Sequence, residues 1–140
     1  MLSTLPTRLS RTVLLVEDVE TCATLLEVAI LRIPGVDVAC AVSGQDALHM
    51  LDEAGNCVCA LVTDLNMARG DGFELIAHVR SDQRYAGLPI IVVSGDTDPG
   101  TPARVSSLGA NAYFAKPYSP MCVRRTLEEL LDAKDTHGRL

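Results

Sequence analysis

The sequence lacks an apolar run long enough to cross a membrane, and it has no excess of positive charge. Charged residues interrupt every hydrophobic stretch well before the ~20 residues that a membrane-spanning helix needs. Lys and Arg number 12 against 18 Asp and Glu, and a net charge of −6 argues against binding to nucleic-acid phosphates. Residues 1–11 lack the apolar core of a secretory signal. These absences predict a cytoplasmic protein that contacts neither a membrane nor, directly, nucleic acid.

The sequence also lacks pairs of Cys or His residues at the spacing that metal ligands need. The five cysteines are an odd number, and each lies inside an apolar pattern: Cys22, Cys40, Cys57, Cys59 and Cys122. A structural metal site would need a second Cys or His pair at ligand spacing, and the sequence has none. We therefore expect reduced cysteines in the core, as is usual for a cytosolic protein.

What the chain does contain is an alternation of strand and helix patterns over a length that suits one domain. It is 48% hydrophobic, enough for a full core, and it has no repeats or low-complexity tracts. The predicted domain spans 11–134, between tails at 1–10 and 135–140. The predicted strands are about 12–17, 36–41, 57–63, 90–93 and 111–115, and the predicted helices are about 19–32, 44–54, 72–81, 102–108 and 120–134.

Local signals set several of these helix limits. Ser43 can cap the second helix, and Ser119-Pro120 fits a cap followed by proline at the first helical position. The segment Asp98-Pro99-Gly100-Thr101-Pro102 is an unusual helix start, which predicts a short fourth helix. In the first helix, the residues expected on the buried face are Cys22, Leu25, Leu26, Ala29, Ile30 and Ile33.

Short, β-branched strands of this kind are typical of a parallel sheet that is buried on both faces. Five strand–helix units with right-handed crossovers give an α/β fold with helices on both sides of the sheet. The flavodoxin-like strand order 2-1-3-4-5 is one of two common solutions, and it places the first strand beside the third.

Polar residues follow four of the predicted strands at the points where they end. Glu17 and Asp18 follow the first strand, Asp64 the third, Ser94 the fourth and Lys116 the fifth. Ligands of open parallel sheets bind outside the carboxyl ends of the strands. This edge would therefore bring together three carboxylates, a hydroxyl and an ammonium group.

Such a set suits phosphoryl transfer. Two carboxylates ~4 Å apart repel by about 4 kcal/mol at an effective dielectric near 20, so the cluster calls for a cation. An oxygen-only site with few carboxylates suits Mg²⁺. Asp64 can then act as a nucleophile toward phosphorus. Lys116, Ser94 and the metal would each stabilise one oxygen of the transferred group.

Each of these residues also has an ordinary structural interpretation. An Asp after a strand is usually a turn residue or a helix cap. Ser94-Gly95 and Lys116-Pro117 can be turns, and Glu17-Asp18 can be acids favoured by a helix dipole. The joint occurrence at successive strand ends makes the functional interpretation stronger than any single residue does.

Taken together, the motifs resemble the receiver domain of two-component response regulators over roughly residues 11–134. The matching segments are Val13-Leu14-Leu15-Val16-Glu17-Asp18, Thr63-Asp64-Leu65-Asn66-Met67, Asp71-Gly72-Phe73-Glu74-Leu75, Pro89-Ile90-Ile91-Val92-Val93-Ser94-Gly95, and Gly109-Ala110-Asn111-Ala112-Tyr113-Phe114-Ala115-Lys116-Pro117.

The resemblance implies a switch that takes phosphate from a phosphohistidine and catalyses only its own phosphorylation and dephosphorylation. The implied phosphoacceptor is Asp64, and the implied Mg²⁺ ligands are Glu17, Asp18, Asp64 and the backbone carbonyl of Asn66. The metal would bind through Asp18 and Asp64, with Glu17 acting through water.

Ser94 is the implied switch hydroxyl, Tyr113 the switch aromatic and Lys116 the phosphate-contacting lysine. Lys116-Pro117 is the expected cis peptide. Asn66 and Asp96 would tune dephosphorylation.

The expected partners follow from the same resemblance. They are a histidine kinase or phosphotransfer protein, and a downstream protein bound by the face of the fourth helix, fifth strand and fifth helix. Arg104, Arg124 and Arg125 are candidate contacts there, and the sequence also allows a homodimer. No DNA-binding domain is expected after the fifth helix.

The sequence departs from the family pattern in the loop after Asp64. Ala68 stands where proline is common, and Gly70 where a hydrophobic residue often precedes the Asp-Gly pair. That loop and the proline-rich start of the fourth helix affect the expected shape of the surface that contacts the output partner. They do not affect the expected phosphoryl chemistry.

Three alternatives remain open. An aspartate-nucleophile phosphohydrolase would want a second acid two residues after Asp64, where this chain has Asn66. A flavin-binding domain would want a Ser-, Thr- or Gly-rich phosphate loop after the first strand, where acids would repel the cofactor phosphate. The chain could also be a receiver excised from a hybrid histidine kinase or a multidomain regulator.

Overall fold

A computed structural model describes residues 11–54, 57–67 and 72–138 as an alternation of strands and helices. The strands are β1 (Arg11–Val16), β2 (Val36–Ala41), β3 (Val58–Asp64), β4 (Ile90–Ser94) and β5 (Ala112–Ala115). The helices are α1 (Glu20–Ile30), α2 (Gly44–Ala54), α3 (Gly72–Ser81), α4 (Thr101–Leu108) and α5 (Pro120–Gly138), and a 3₁₀ turn at Gln83–Tyr85 follows α3.

The strands form one parallel sheet in the order β2-β1-β3-β4-β5. The predicted flavodoxin-like α/β architecture is therefore confirmed. Val16 of β1 pairs with Thr63 of β3, which brings the carboxyl ends of these two strands side by side. The register places Glu17 and Asp64 at one edge of the sheet, where the sequence expected its site.

Hydrophobic residues pack on both faces of this sheet. On one face, Leu61 and Val92 belong to a cluster that also contains Leu75 and Val79 of α3 and Val105 of α4. On the other face, residues such as Val13, Leu15 and Val62 pack with Leu26 and Ile30 of α1 and with Val123 and Leu127 of α5. The near-continuous apolar strands of the sequence are explained by this two-sided burial.

Local chemistry accounts for where the helices begin. The Ser43 hydroxyl accepts a hydrogen bond from the Asp46 N–H at 3.0 Å, so the predicted cap of α2 is confirmed. Pro102 lies in the first turn of α4, where a missing N–H leaves no helical bond unmade. Pro120 is the first residue of α5, as predicted.

Helix ends differ more from prediction. Helix α1 stops at Ile30, because the Arg32 and Ile33 N–H groups bond to carbonyls three residues back and tighten the chain before Pro34. Helix α5 continues past residue 134 to Gly138. The chain has no breaking residue before that glycine, which is a usual helix terminator. Part of the expected tail at 135–140 is thus helical.

Two expectations about burial are wrong. Leu25, expected on the buried face of α1, is 60% exposed. None of the five cysteines is fully buried: Cys22 and Cys59 are half-buried, with Cys59 packed against the core, and Cys40, Cys57 and Cys122 are exposed. An apolar neighbourhood in sequence predicts a strand or helix, but the side of the element that faces the core depends on packing.

Some predictions concern residues outside the described ranges. These are the tail at 1–10, the departures at Ala68 and Gly70, and the loop position of Asp71. Within the described residues, no helix combines the length and the apolar character that crossing a membrane requires.

Candidate functional site at the carboxyl edge of the sheet

Three charged side chains from three strand ends meet at the carboxyl edge of the sheet. Lys116 Nζ lies 2.8 Å from Asp64 Oδ2 and 3.3 Å from Glu17 Oε1. Backbone hydrogen bonds hold the ends of the strands in place, from Glu17 N–H to the Ala41 carbonyl and from Lys116 N–H to the Ser94 carbonyl. We call Glu17, Asp64 and Lys116 the acid–lysine site. It confirms that the strand order brings these residues together.

The acid–lysine site is strongly buried for a group of charges. Glu17 is 3% and Asp64 4% exposed. Buried carboxylates persist only when they are paired and hydrogen-bonded. A single ammonium group compensates the two acids, so the site keeps an unbalanced negative charge and can receive a further cation.

The pKa values of the site follow from this crowding. Burial raises the pKa of the Glu17 carboxyl above its ordinary value, and the charge of Asp64 raises it further. A hydrogen bond from the Val19 N–H and the charge of Lys116 act in the opposite direction. Burial lowers the pKa of Lys116, but its hydrogen bond with Asp64 and the charges of both acids raise it by more. Lys116 is therefore firmly protonated.

The Asp64 carboxylate is fixed from two sides. Its Oδ1 accepts hydrogen bonds from the N–H groups of Leu65 at 2.6 Å and Asn66 at 3.2 Å. Its Oδ2 accepts from Lys116. The carboxylate is therefore oriented with Oδ2 toward the lysine.

The backbone around Asp64 is also tightly packed. The Thr63 hydroxyl, fully buried, donates to the Asp64 carbonyl at 2.8 Å. Gly72, the first residue of α3, lies so close that a Cβ there would collide with the Asp64 carbonyl oxygen and would stand 2.6 Å from Leu65 Cα. This close approach requires glycine. Sequence reasoning missed Thr63, although a hydroxyl directly before Asp64 in an apolar strand was a visible signal.

The other predicted metal ligands differ from Glu17 and Asp64 in their burial. Asp18 and Asn66 are exposed, whereas Glu17 is buried and contacts Lys116. Over 11–54, 57–67 and 72–138, no group of three or more His, Cys, Asp or Glu side chains is arranged as a metal site. Mg²⁺ binds through one or two carboxylates and keeps several waters, so two buried carboxylates and a backbone carbonyl still fit it.

The predicted switch residues lie on the neighbouring strands. Ser94 is fully buried, and its hydroxyl oxygen accepts a hydrogen bond from the Asp96 N–H at 3.0 Å. Tyr113 pairs with Val92 in the sheet and packs half-buried against the core beneath α3 and α4. Because the Ser94 hydroxyl only accepts in this contact, its proton remains available to another acceptor.

A cavity of about 440 Å³ opens beside the acid–lysine site, and the sequence did not reveal it. We call it the side cavity. Its lining comes from α1, from the segment between β5 and α5, and from the first residue of α5: Cys22, Leu25, Lys116, Pro117, Tyr118 and Pro120. The Lys116-Pro117 peptide within this lining is cis, as expected.

The comparisons with known proteins agree with this geometry. Residues 13–128 match the family model of the response regulator receiver domain. The chain is 33% identical over 124 residues to the chemotaxis protein CheY1 of Helicobacter pylori, covering 87% of this chain and 98% of that protein.

Larger regulators and solved structures are similar too. The transcriptional regulatory protein GltR of Pseudomonas aeruginosa is 33% identical over 121 residues, which cover 86% of this chain and 49% of GltR. The structure of the chemotaxis response regulator CheY4 of Vibrio cholerae superposes with a TM-score of 0.75 at 26% identity, covering 86% of this chain and 98% of that one.

Receiver domains of this family generally bind Mg²⁺, and CheY-like members interact with histidine kinases and with downstream targets. The fold, the family model and the similar proteins all describe one kind of molecule. The chain belongs to the receiver domain family of two-component response regulators, and it is a phosphoacceptor signalling switch.

Proposed function

We propose that Asp64 receives a phosphoryl group from the phosphohistidine of a histidine kinase or phosphotransfer protein. The observation that carries this proposal is the contact of Lys116 Nζ with Asp64 Oδ2. The two N–H groups on Oδ1 hold the carboxylate still, so Oδ2 is presented for attack on phosphorus. A new O–P bond forms there as the P–N bond to the imidazole breaks.

Lys116 and Ser94 stabilise the transferred group. The ammonium group of Lys116 can pass from the Asp64 carboxylate to a phosphoryl oxygen, because its raised pKa keeps it charged. The free proton of the Ser94 hydroxyl can be donated to a second oxygen. Both residues lie at strand ends that the sheet fixes, so the stabilising groups are organised before the reaction.

Glu17, Asp18, Asp64 and the backbone carbonyl of Asn66 would hold Mg²⁺. When bound, the metal supplies positive charge that neutralises the acids and the incoming phosphoryl group. The buried pair of Glu17 and Asp64 supports this role, because one lysine leaves it underneutralised. Glu17 contacts Lys116 within the site. We therefore propose that it takes a more direct part in holding the metal than the water-mediated role expected from the sequence.

The switch and its output complete the proposal. Ser94 would move toward the phosphoryl oxygen, and Tyr113 would turn into the space that it leaves. The output partner would bind the face of α4, β5 and α5, where Arg104 and Arg125 are exposed and Arg124 is half-buried. We place this cycle in the cytoplasm, and a homodimer could use the same face.

Dephosphorylation would be set by water access. Asn66 is exposed and Asp96 half-buried, and neither is large enough to shield a phosphoryl group on Asp64. Asn66→Lys or Asp96→Tyr should lengthen the lifetime of the phosphorylated protein by about tenfold, for a barrier change of only about 1.4 kcal/mol. Decay of the adduct after donor removal measures this, and unchanged decay in both variants contradicts it.

The central test is phosphorylation by acetyl phosphate with and without Mg²⁺, followed by intact mass. The wild-type protein should gain one acid-labile phosphoryl adduct that depends on Mg²⁺. Asp64→Asn should abolish it, whereas Asp52→Asn, at an exposed acid of α2, should retain it. If Asp64→Asn still gained the full adduct, Asp64 would not be the phosphoacceptor.

A further inference from the structure

The side cavity and the acid–lysine site share one residue, Lys116. Its ammonium nitrogen is 2.8 Å from the Asp64 oxygen that faces it. A molecule that occupies the side cavity therefore touches Lys116, the residue that also contacts the acceptor carboxylate. Any phosphodonor that reaches Asp64 must place its leaving group somewhere near this edge.

The lining of the side cavity suits an apolar group. Leu25, Pro117 and Pro120 supply carbon surface, and Leu25 keeps 60% of its own surface exposed. An apolar cavity of about 150 Å³ is sufficient to bind benzene. At about 440 Å³, the side cavity has room for a small ring or a short alkyl chain.

The lining also carries polar groups that can orient a ligand. Burial raises the pKa of Tyr118 to about 12, so its hydroxyl is protonated at neutral pH and can donate a hydrogen bond. Lys116 supplies the positive charge at the end nearest Asp64. Ligand pockets typically combine an apolar wall with a few polar groups of this kind.

We propose that the side cavity holds the apolar part of a small acyl phosphate while its phosphoryl group is transferred to Asp64. The protein would then favour acyl phosphates with an apolar acyl group over acetyl phosphate. This inference rests on the proposed role of Asp64 as acceptor. It adds Leu25 as a residue that determines phosphodonor specificity.

The reaction balances without another reactant. Asp64 Oδ2 attacks phosphorus and forms the new P–O bond. The bond between phosphorus and the acyl oxygen breaks, and its electron pair leaves with the acyl group as a carboxylate. No proton is taken up or released in the transfer.

The test compares two donors, acetyl phosphate and benzoyl phosphate, in the wild-type protein and in Leu25→Ala. The second-order rate constant of adduct formation is followed by intact mass at low donor concentration. The ratio of the benzoyl to the acetyl rate constant should fall by about fourfold in Leu25→Ala, roughly the effect of one buried methylene group.

Val28→Ala is the matched control, because Val28 lies on the same helix, is 55% exposed and does not line the side cavity. It should keep the wild-type ratio. An equal ratio in wild type and Leu25→Ala overturns the inference, and so does an equal fall in both variants. The proposed function fails separately, if neither donor gives an adduct that Asp64→Asn removes.

Discussion

Two cationic side chains, Lys116 and Arg80, each contact several parts of this fold, and their partners differ. Lys116 contacts the carboxylates of Asp64 and Glu17 at the carboxyl edge of the sheet. Arg80, at the end of α3, donates to the backbone carbonyls of Gly109 and Tyr85 and to the side-chain oxygen of Asn111. The first set of partners is charged and the second is neutral.

The difference separates a reactive region from a structural one. Carboxylates raise the pKa of Lys116, and a phosphoryl group could replace them as its partner. Burial lowers the pKa of Arg80, which nevertheless remains charged and bound to fixed backbone oxygens. Gly109 has a φ of 113°. A Cβ at this position would lie 2.8 Å from the Arg80 side chain, so the contact between the two residues requires glycine. Lys116 should therefore govern chemistry, and Arg80 stability.

The largest effect should come from Lys116→Met. Loss of one stabilising donor at a reacting group lowers rates by about a hundredfold or more, and we expect that loss for phosphorylation by acetyl phosphate. The initial rate of adduct formation measures it. Lys134→Met is the control, because Lys134 bonds only to the exposed Gly87 carbonyl among its described contacts. If Lys116→Met were phosphorylated at a rate within threefold of wild type, Lys116 would not govern the chemistry and its contrast with Arg80 would fail.

Arg80→Met should act mainly on stability. It would leave the carbonyls of Gly109 and Tyr85 without their donor, which costs about 2–3 kcal/mol for a charged hydrogen-bond partner. Urea unfolding measures this loss, and acetyl phosphate reactivity in the folded protein should change by less than about threefold.

Arg84→Met provides the contrast for Arg80. Arg84 pairs with Asp82 and Asp52 at the surface, where exposed ion pairs contribute about 0–1 kcal/mol. If Arg84→Met destabilised the protein as much as Arg80→Met, Arg80 would have no special role in holding α3 to the segment between α4 and β5.

Glu17→Gln should change how stability depends on pH. The folded protein holds the Glu17 proton more tightly than the unfolded chain does, because its folded pKa is raised. The free energy of unfolding should therefore fall as pH rises from about 4.5 through that raised pKa. Glu17→Gln should flatten this fall, as measured by urea unfolding across that range. Glu53→Gln, at an acid with 70% of its side chain exposed, should leave the wild-type profile.

A small effect is also expected of Arg104→Gln. The Arg104 guanidinium carbon lies 3.8 Å from the centroid of the Phe73 ring and joins α4 to α3. An exposed contact of this type contributes about 0.5–1 kcal/mol. Hydrogen exchange within Thr101–Leu108 should become faster, while Arg125→Gln on α5 should not affect it. Unchanged exchange in Arg104→Gln would show that the Arg104–Phe73 contact does not stabilise α4.

Much of this molecule could be read from local sequence. The apolar, β-branched runs predicted all five strands to within one residue at each end, since burial on both faces leaves little choice of side chain. Ser43, Pro102 and Pro120 marked helix starts through backbone hydrogen bonding that depends only on neighbours. Because strand order fixes which carboxyl ends meet, the sequence also predicted that Glu17, Asp64 and Lys116 lie together.

Other features depend on distances between parts of the chain that are far apart in sequence. One example is the cluster of oxygens around Arg80, which comes from Tyr85, Gly109 and Asn111 and could not be predicted from neighbours. Leu25 was expected on the buried face of α1 together with Leu26, Ala29 and Ile30. Those three are buried, whereas Leu25 is 60% exposed. The side cavity arises only where α1 meets the segment after β5.

The sequence by itself thus determined the order of elements, the parallel sheet and the set of reactive groups at its edge. These follow from apolar periodicity and from the position of polar residues at strand ends. Only the tertiary structure decided which atoms touch, how deeply Glu17 and Asp64 are buried, and which apolar side chains remain at the surface. The physical reason is that contact and burial depend on how whole helices pack against the sheet, and a single element's pattern does not contain that information.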